Sequence, residues 1–191
     1  MMHKSIRGVV AALAMASASL GLGGVALAKM APKNPIVGGA AMFPTKNIVE
    51  NAVNSKDHTT LVAAVTAAGL VDTLASPGPF TVFAPTNAAF GKLPAGTVET
   101  LVKPENKATL TSILTYHVVS GRLTAADIGK AIKAGRGKAM LTTVAGGPLT
   151  AMMVGKKLVL TDAKGGKSTV TIGNVMQSNG VIHVVDTVLL P

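Results

Sequence analysis

"NGVIHVVDTVLLP", Asn179 to Pro191, sets how the rest of the chain has to fold. In an extended segment, Val181, His183, Val185, Thr187 and Leu189 share one face, and Ile182, Val184, Asp186, Val188 and Leu190 share the other. Both faces are mostly apolar, so the segment reads as an interior strand covered on both sides. His183 and Asp186 then point opposite ways and cannot serve one site without a bulge. A buried Asp186 needs donors, such as backbone N–H groups or a threonine hydroxyl. Asn179-Gly180 ahead of the strand reads as a two-residue hairpin turn, because both residues tolerate positive φ.

Upstream of that turn, apolar and β-branched runs alternate with turn residues. The runs are Met140–Val144, Leu149–Val154, Leu158–Thr161, Ser168–Ile172 and Val175–Ser178. Gly146-Gly147, Gly155-Lys156 and Lys164-Gly165-Gly166 separate most of them, which gives an antiparallel meander. Before Met140 the texture is helical. Ile48, Val49, Ala52 and Val53 form a short apolar face. Asp57 can cap a helix carrying Leu61, Ala64, Val65 and Ala68, with Gly69 as its stop. "PGPFTVFAP" reads as a turn and a strand, with Phe80, Val82 and Ala84 on one side and Thr81 and Phe83 on the other. Pro85 ends it, and Thr86 can cap a turn of helix to Phe90. Thr97 opens another short helix, and Pro104 and Glu105 suit the first turn of one running toward Val118. "TAAD", Thr124 to Asp127, is a capping-box pattern ahead of Ile128, Ala131 and Ile132, closed by Gly135. Helices first and a meander second argue an α+β domain with one β-rich core.

The N-terminal stretch has a different purpose. Lys4 and Arg7 precede an apolar run from Gly8 to about Leu22, and Ala26-Leu27-Ala28 follows. That is the pattern of a secretory signal peptide over residues 1–28, with an A-x-A cleavage site. Residues 29–46, rich in proline and glycine, read as an arm, part of which lies against the domain because Ile36, Val37, Met42 and Phe43 are apolar. The domain itself is expected over residues 47–191. After cleavage no segment is long and apolar enough for a transmembrane anchor, and the product is expected in the periplasm or outside the cell. With no cysteine, there is no disulfide framework or thiolate metal site.

The formal charge is +10, and the leader accounts for two of it, leaving +8. Such a surface favours anionic partners. Nucleic acid is not expected among them: stacking modules need aromatic side chains beside basic groups, and this chain has one tyrosine, four phenylalanines and no tryptophan.

Candidate chemistry is sparse. In "LTYHVVSG", Leu114 to Gly121, Leu110, Ile113, Leu114 and His117 fall at helical spacing. His117 therefore continues an apolar stripe in the last turn of its helix and reads as a hydrogen-bonded structural histidine. Tyr116 is rotated by about 100° and can sit at the edge of that stripe, open to a groove. His58, beside the cap Asp57, reads as an exposed first-turn residue. His58, His117 and His183 lie on two helices and a strand without metal-ligand spacing. "GGKST", Gly165 to Thr169, lacks the first glycine of a phosphate loop, since Thr161 stands there. No G-x-S-x-G or G-x-G-x-x-G occurs. Neither an enzyme nor a cofactor is indicated.

Three stretches together resemble the fasciclin (FAS1) family. "TVFAPTNAAF", Thr81 to Phe90, is similar to its first signature block, Tyr116-His117 to its central Tyr-His motif, and Asn179 to Pro191 to its second block. The order and spacing fit from about Asn47 to Pro191, and the chain is similar to the small single-domain secreted bacterial members. The resemblance implies a β-sandwich or wedge of twisted antiparallel strands with a helical layer. It implies a secreted or surface-attached protein of cell adhesion and matrix contact. Some bacterial members are linked to host association or are secreted antigens. In some animal members the Tyr-His region is associated with integrin binding, which makes Tyr116 and His117 candidate partner-binding residues.

The expectation is thus an exported, non-enzymatic module that binds a cell-surface or matrix protein or an acidic glycan. Self-association would supply the second contact that adhesion by a single module requires. The alternative is an envelope carrier of a lipid or other apolar ligand, or a stress-related periplasmic protein. Its pocket would be lined by residues such as Met140, Met152, Met153 and Met176; the competing reading is that these methionines fill the core.

Overall fold

The computed structural model describes residues 34–191; the expected signal peptide and the first residues of the arm lie outside them. The described part of the arm opens with a small hairpin of β1 (Ile36–Val37) and β2 (Ala40–Ala41). Val37 and Met42 are buried there, while Ile36 and Phe43 face solvent. Helix α1 (Ile48–Ala52) starts at a reciprocal capping box between Asn47 and Glu50. A 3₁₀ turn, Lys56–His58, leads into α2 (Thr59–Ala68), which ends at Gly69 with φ 72°. Asp57 is not the cap: the turn begins after Ser55, and α2 begins after His58. Next come α3 (Val71–Ala75), β3 (Phe80–Pro85) and α4 (Asn87–Gly91), the last capped by the Thr86 hydroxyl accepting from the Ala89 N–H. After α5 (Thr97–Leu101), a 3₁₀ turn at Pro104–Asn106 opens α6 (Lys107–Tyr116). Helix α6 runs directly into β4 (Val118–Ser120), and α7 (Ala125–Ala134) carries the Thr124/Asp127 capping box and ends at Gly135. The meander is β5 (Lys138–Thr142), β6 (Pro148–Val154), β7 (Lys157–Thr161), β8 (Lys167–Gln177) and β9 (Gly180–Val185).

Seven strands form one sheet in the order β4-β3-β9-β8-β7-β6-β5. The sheet curls until its ends approach, with Val119 bridged to Thr143 and the Val144 N–H donating to the Val118 carbonyl at 2.7 Å. Its neighbours are antiparallel with one exception: β3 and β9 pair parallel, from Phe80 opposite Gly180 to Pro85 opposite Val185. The meander gives β9 a neighbour on one side only, β8. The other side is filled by β3 from the helical half, which turns a purely antiparallel expectation into a mixed sheet. The two runs expected at Ser168–Ile172 and Val175–Ser178 form a single strand, β8, with register shifts on both sides of Ile172. Strand β9 ends at Val185, so only the first half of the expected Val181–Leu190 run is paired.

As an interior strand should, β9 separates two cores. Ile182 and Val184 join Ile48, Leu61, Leu74, Val82 and Leu114 beneath the helical layer. Val185 joins Phe83, Ile128, Ile132, Leu149 and Leu160 inside the curl of the sheet, where α7 closes it.

Candidate functional site

Tyr116 and His117 stand where α6 passes into β4, and both are buried, at 0% and 2% exposed. The Leu189 N–H donates to His117 Nε2 at 2.9 Å, so Nε2 carries no proton and the ring proton sits on Nδ1. Nδ1 lies 2.8 Å from the Ile113 carbonyl and donates to it. Only the neutral ring meets both partners. Burial lowers the His117 pKa from 6.5 to about 4, against the smaller opposing pull of the Ile113 carbonyl and Asp162.

The Tyr116 ring lies in the core inside the sheet. Its hydroxyl donates to the Pro148 carbonyl at 2.6 Å and accepts from the Ala163 N–H at 3.1 Å. A methyl group at Gly147 would lie 2.7 Å from the ring, so the β5–β6 turn passes directly over it. The edge that helical spacing leaves open for Tyr116 therefore faces inward. Helix α6 ends at this residue, and the turns before β6 and before β8 close over the ring. The pair ties α6 to those two turns and to the C-terminal segment; neither side chain presents surface to a partner in this structure.

The other sequence candidates sit apart. His183 donates from Nε2 to the Leu123 carbonyl at 2.8 Å. It stacks on Phe83, opposite it in the parallel pair, with ring centroids 5.6 Å apart. Asp186 is half-exposed rather than buried. Its Oδ1 accepts from the Thr169 N–H at 2.8 Å and the Thr187 hydroxyl at 3.0 Å, donors of the two kinds its sequence position calls for. His58 is not an exposed first-turn residue. It is 3% exposed, because the 3₁₀ turn delays the start of α2 and puts the ring against the helical-side core. Its Nδ1 meets the Ser55 hydroxyl at 2.8 Å, and its Nε2 has no hydrogen-bond partner. Among the described residues, no three histidine, aspartate or glutamate side chains converge as metal ligands would.

Asp162 was not singled out by the sequence, yet it holds a junction. Oδ1 accepts from the Lys164 and Gly166 N–H groups at 3.0 and 2.7 Å, and Oδ2 from the Leu190 N–H at 3.0 Å. The readable signal is an aspartate two residues before a Lys-Gly-Gly turn, the setting of an Asx turn.

The methionine-lined pocket is not formed. Met140 is 75% exposed, Met153 is also exposed, and none of the four methionines lines the apolar cavity of the helical half. Strand alternation explains this: Ala139 and Leu141, with Leu149 and Ala151 of β6, take the inner face, which leaves Met140 and Met152 on the outer one. The register places Lys138 opposite Met152 and Lys157 opposite Val154 on that outer face. Arg136 and Lys156 are exposed on the adjoining turns. From Ala125 onward the chain has eight lysines and arginines against three carboxylates. One of the three, Asp162, is occupied by backbone donors. Arg136, Lys138, Lys156 and Lys157 thus stand around an exposed apolar strip on the outer sheet face at this end.

The curled mixed sheet with its helical layer and buried Tyr-His clamp defines a class of α+β module. The fasciclin domain family matches over residues 56–191, and the chain belongs to that family. Protein sll1483 of Synechocystis sp. is 46% identical over 190 residues, covering 98% of each chain. Immunogenic protein MPB70 of Mycobacterium bovis is 34% identical over 206 residues, covering 97% of this chain and 98% of its own. Cell surface glycolipoprotein MPB83 of the same species is 35% identical over 188 residues, covering 95% of this chain and 78% of its own. A FAS1 domain pair from the insect cell adhesion molecule Fasciclin I is similar in fold, with a TM-score of 0.67 at 20% identity over 76% of this chain and 51% of that one. No helix among the described residues is long and apolar enough to cross a membrane.

Proposed function

We propose that this protein is an exported, non-enzymatic FAS1 module that binds an acidic glycan of the cell surface or matrix. The observation that carries the reading is the outer face of β5, β6 and β7, where Lys138 and Lys157 flank Met140, Met152 and Val154. Lysines there attract the anionic polymer, and the apolar strip packs against its backbone once the charges are in register. Tyr116 serves the same function from beneath, by holding the turns that shape this half of the sheet, and His117 by holding the C-terminal segment against α6. Export is supported by the signal-like leader and by the cell-surface designation of the relative MPB83. The exported form then begins at Lys29, which the intact mass of protein recovered from the envelope or medium checks.

The test is binding to immobilised polygalacturonate at low and high salt, with uncharged dextran as control. Binding should be saturable at low salt and fall at least tenfold in 0.5 M NaCl, as contacts between exposed charges do. The Lys138→Glu/Lys157→Glu double variant should lose about tenfold in affinity with an unchanged melting temperature. Equal retention on dextran, or no effect of the charge reversals, would remove this reading.

A further inference from the structure

A second site lies in the helical half, built from different residues. The core between α1, α2 and β3 is not filled: a cavity of about 180 Å³ remains. Its walls include Ile48, Leu61, Val65, Leu74 and Val82, all buried and apolar. Half-buried Ala52 and exposed Val53 also line it, so it reaches the surface.

Ser55, His58, Thr66, Thr73, Thr115 and His117 also line the cavity, and of these His58 alone has a buried side-chain atom without a partner. His58 lines the cavity with Nε2 buried and without a hydrogen-bond partner, while Nδ1 is taken by Ser55. Buried polar groups are rarely left so, and leaving one unpaired is unfavourable. We propose that the cavity is a binding site for a small uncharged apolar molecule bearing one hydroxyl group, which pairs with His58 Nε2.

The class follows from three constraints. An apolar cavity of about 150 Å³ holds a benzene molecule in another protein, so this one accommodates a single six-membered ring with a hydroxyl, or a chain end of similar bulk. A hydroxyl both donates and accepts, so it satisfies Nε2 whichever ring nitrogen of His58 carries the proton. A carboxylate or ammonium group is excluded by the desolvation it would suffer between Leu61, Val65 and Val82. The imidazole itself stays neutral: burial lowers its pKa below 6.5, and the opposing pulls of the nearby Ala84 carbonyl, which completes no hydrogen bond to Nε2, and of Asp57 are smaller.

Phenol, benzene and benzoate are suitable probes, titrated into the full chain by calorimetry and ligand-observed NMR. Phenol should bind saturably at one per chain, benzene about fivefold more weakly, and benzoate not at all. Phenol, but not benzene, should shift the His58 Nε2 resonance. The Ala52→Phe variant, which fills the cavity from its half-exposed side, should bind neither phenol nor benzene. His58→Leu should bind benzene and lose the preference for phenol. Absence of phenol binding to the wild-type chain, binding that survives Ala52→Phe, or a phenol preference that survives in His58→Leu would each overturn the proposal. If His58→Leu does not fold, the Nε2 shift and the Ala52→Phe result decide it. None of these readouts involves the outer sheet face, so glycan binding and phenol binding fail or succeed separately.

Discussion

His117 keeps both of its hydrogen bonds in one protonation state only, and that makes it the most exacting residue of the α6–β4 junction. His117→Ala leaves the Leu189 N–H without an acceptor, frees the Ile113 carbonyl and opens a void. An unpaired buried donor and a small cavity together predict a loss of about 2–4 kcal/mol. Tyr116→Phe keeps the ring and removes the hydroxyl, so the Pro148 carbonyl and the Ala163 N–H lose their partner and the loss should be about 1–3 kcal/mol. Urea unfolding of the two variants measures both; an unchanged midpoint in either would show that the corresponding bond carries no net stability. Helical spacing was enough to read His117 as packed, because Leu110, Ile113 and Leu114 precede it within the same helix. It was not enough for Tyr116. The atoms that cover its ring belong to Gly147, Pro148 and Ala163, far along the chain, and nothing local announces them.

At the scale of elements, the hairpin joining β8 to β9 shows how a correct turn can have an unexpected cause. Gln177 pairs with Gly180, so the two turn residues are Ser178 and Asn179, one position earlier than Asn179-Gly180. Asn179 does not adopt positive φ. Its value lies in its side chain, which accepts from the Ile48 N–H at 3.1 Å and donates to the Leu74 and Ser76 carbonyls at 2.8 and 2.9 Å. One amide thereby joins the start of α1 and the end of α3 to the sheet. Gly180 is needed for space: a methyl group there would lie 2.1 Å from the Phe80 carbonyl oxygen, across the parallel pair. Asn179→Ala should cost about 2–4 kcal/mol through the three groups it leaves unpaired. Gly180→Ala should cost at least as much, because either β3 or β9 must move. Denaturant titration of both variants is the check, and Gly180→Ala at wild-type stability would mean that the β3–β9 approach is looser than this structure has it. The helix caps at Thr86 and Thr124 were legible, since each depends on residues within one turn; which face of β5 and β6 turns inward was not, and Met140 and Met152 lie on the outer one. The parallel pairing was not, because nothing in Phe80–Pro85 records which distant strand will lie beside it.

The whole molecule has three histidines buried in its described residues, His58, His117 and His183, and burial lowers the pKa of all three. Each therefore favours the folded state as the neutral ring. In the unfolded chain the same rings titrate near 6.5, so as pH falls below 6.5 the unfolded state takes up protons that the folded state refuses. Stability is present in full above pH 6.5 and is lost on descent toward pH 4, where His117 titrates in the folded protein. His117 alone shifts by about 2.5 pH units at 1.36 kcal/mol each, or roughly 3 kcal/mol at the acid end. His58 and His183 add to it in the same direction. That is a large share of the ~5–15 kcal/mol by which a domain is stable. Asp127 works in a lower window: its pKa is held below its usual value by the Thr124 hydroxyl and N–H, so its contribution is lost only as pH falls below about 4. Urea midpoints measured from pH 7.5 to pH 3.5 should be level down to about pH 6.5 and then fall steadily toward pH 4. The slope should be shallower in His117→Gln, which offers one amide donor and one acceptor but does not titrate. A flat profile between pH 6.5 and pH 4.5 would mean that protonated rings find solvent or a counter-charge in the folded state, and the closed packing around β9 would then be wrong at the histidines.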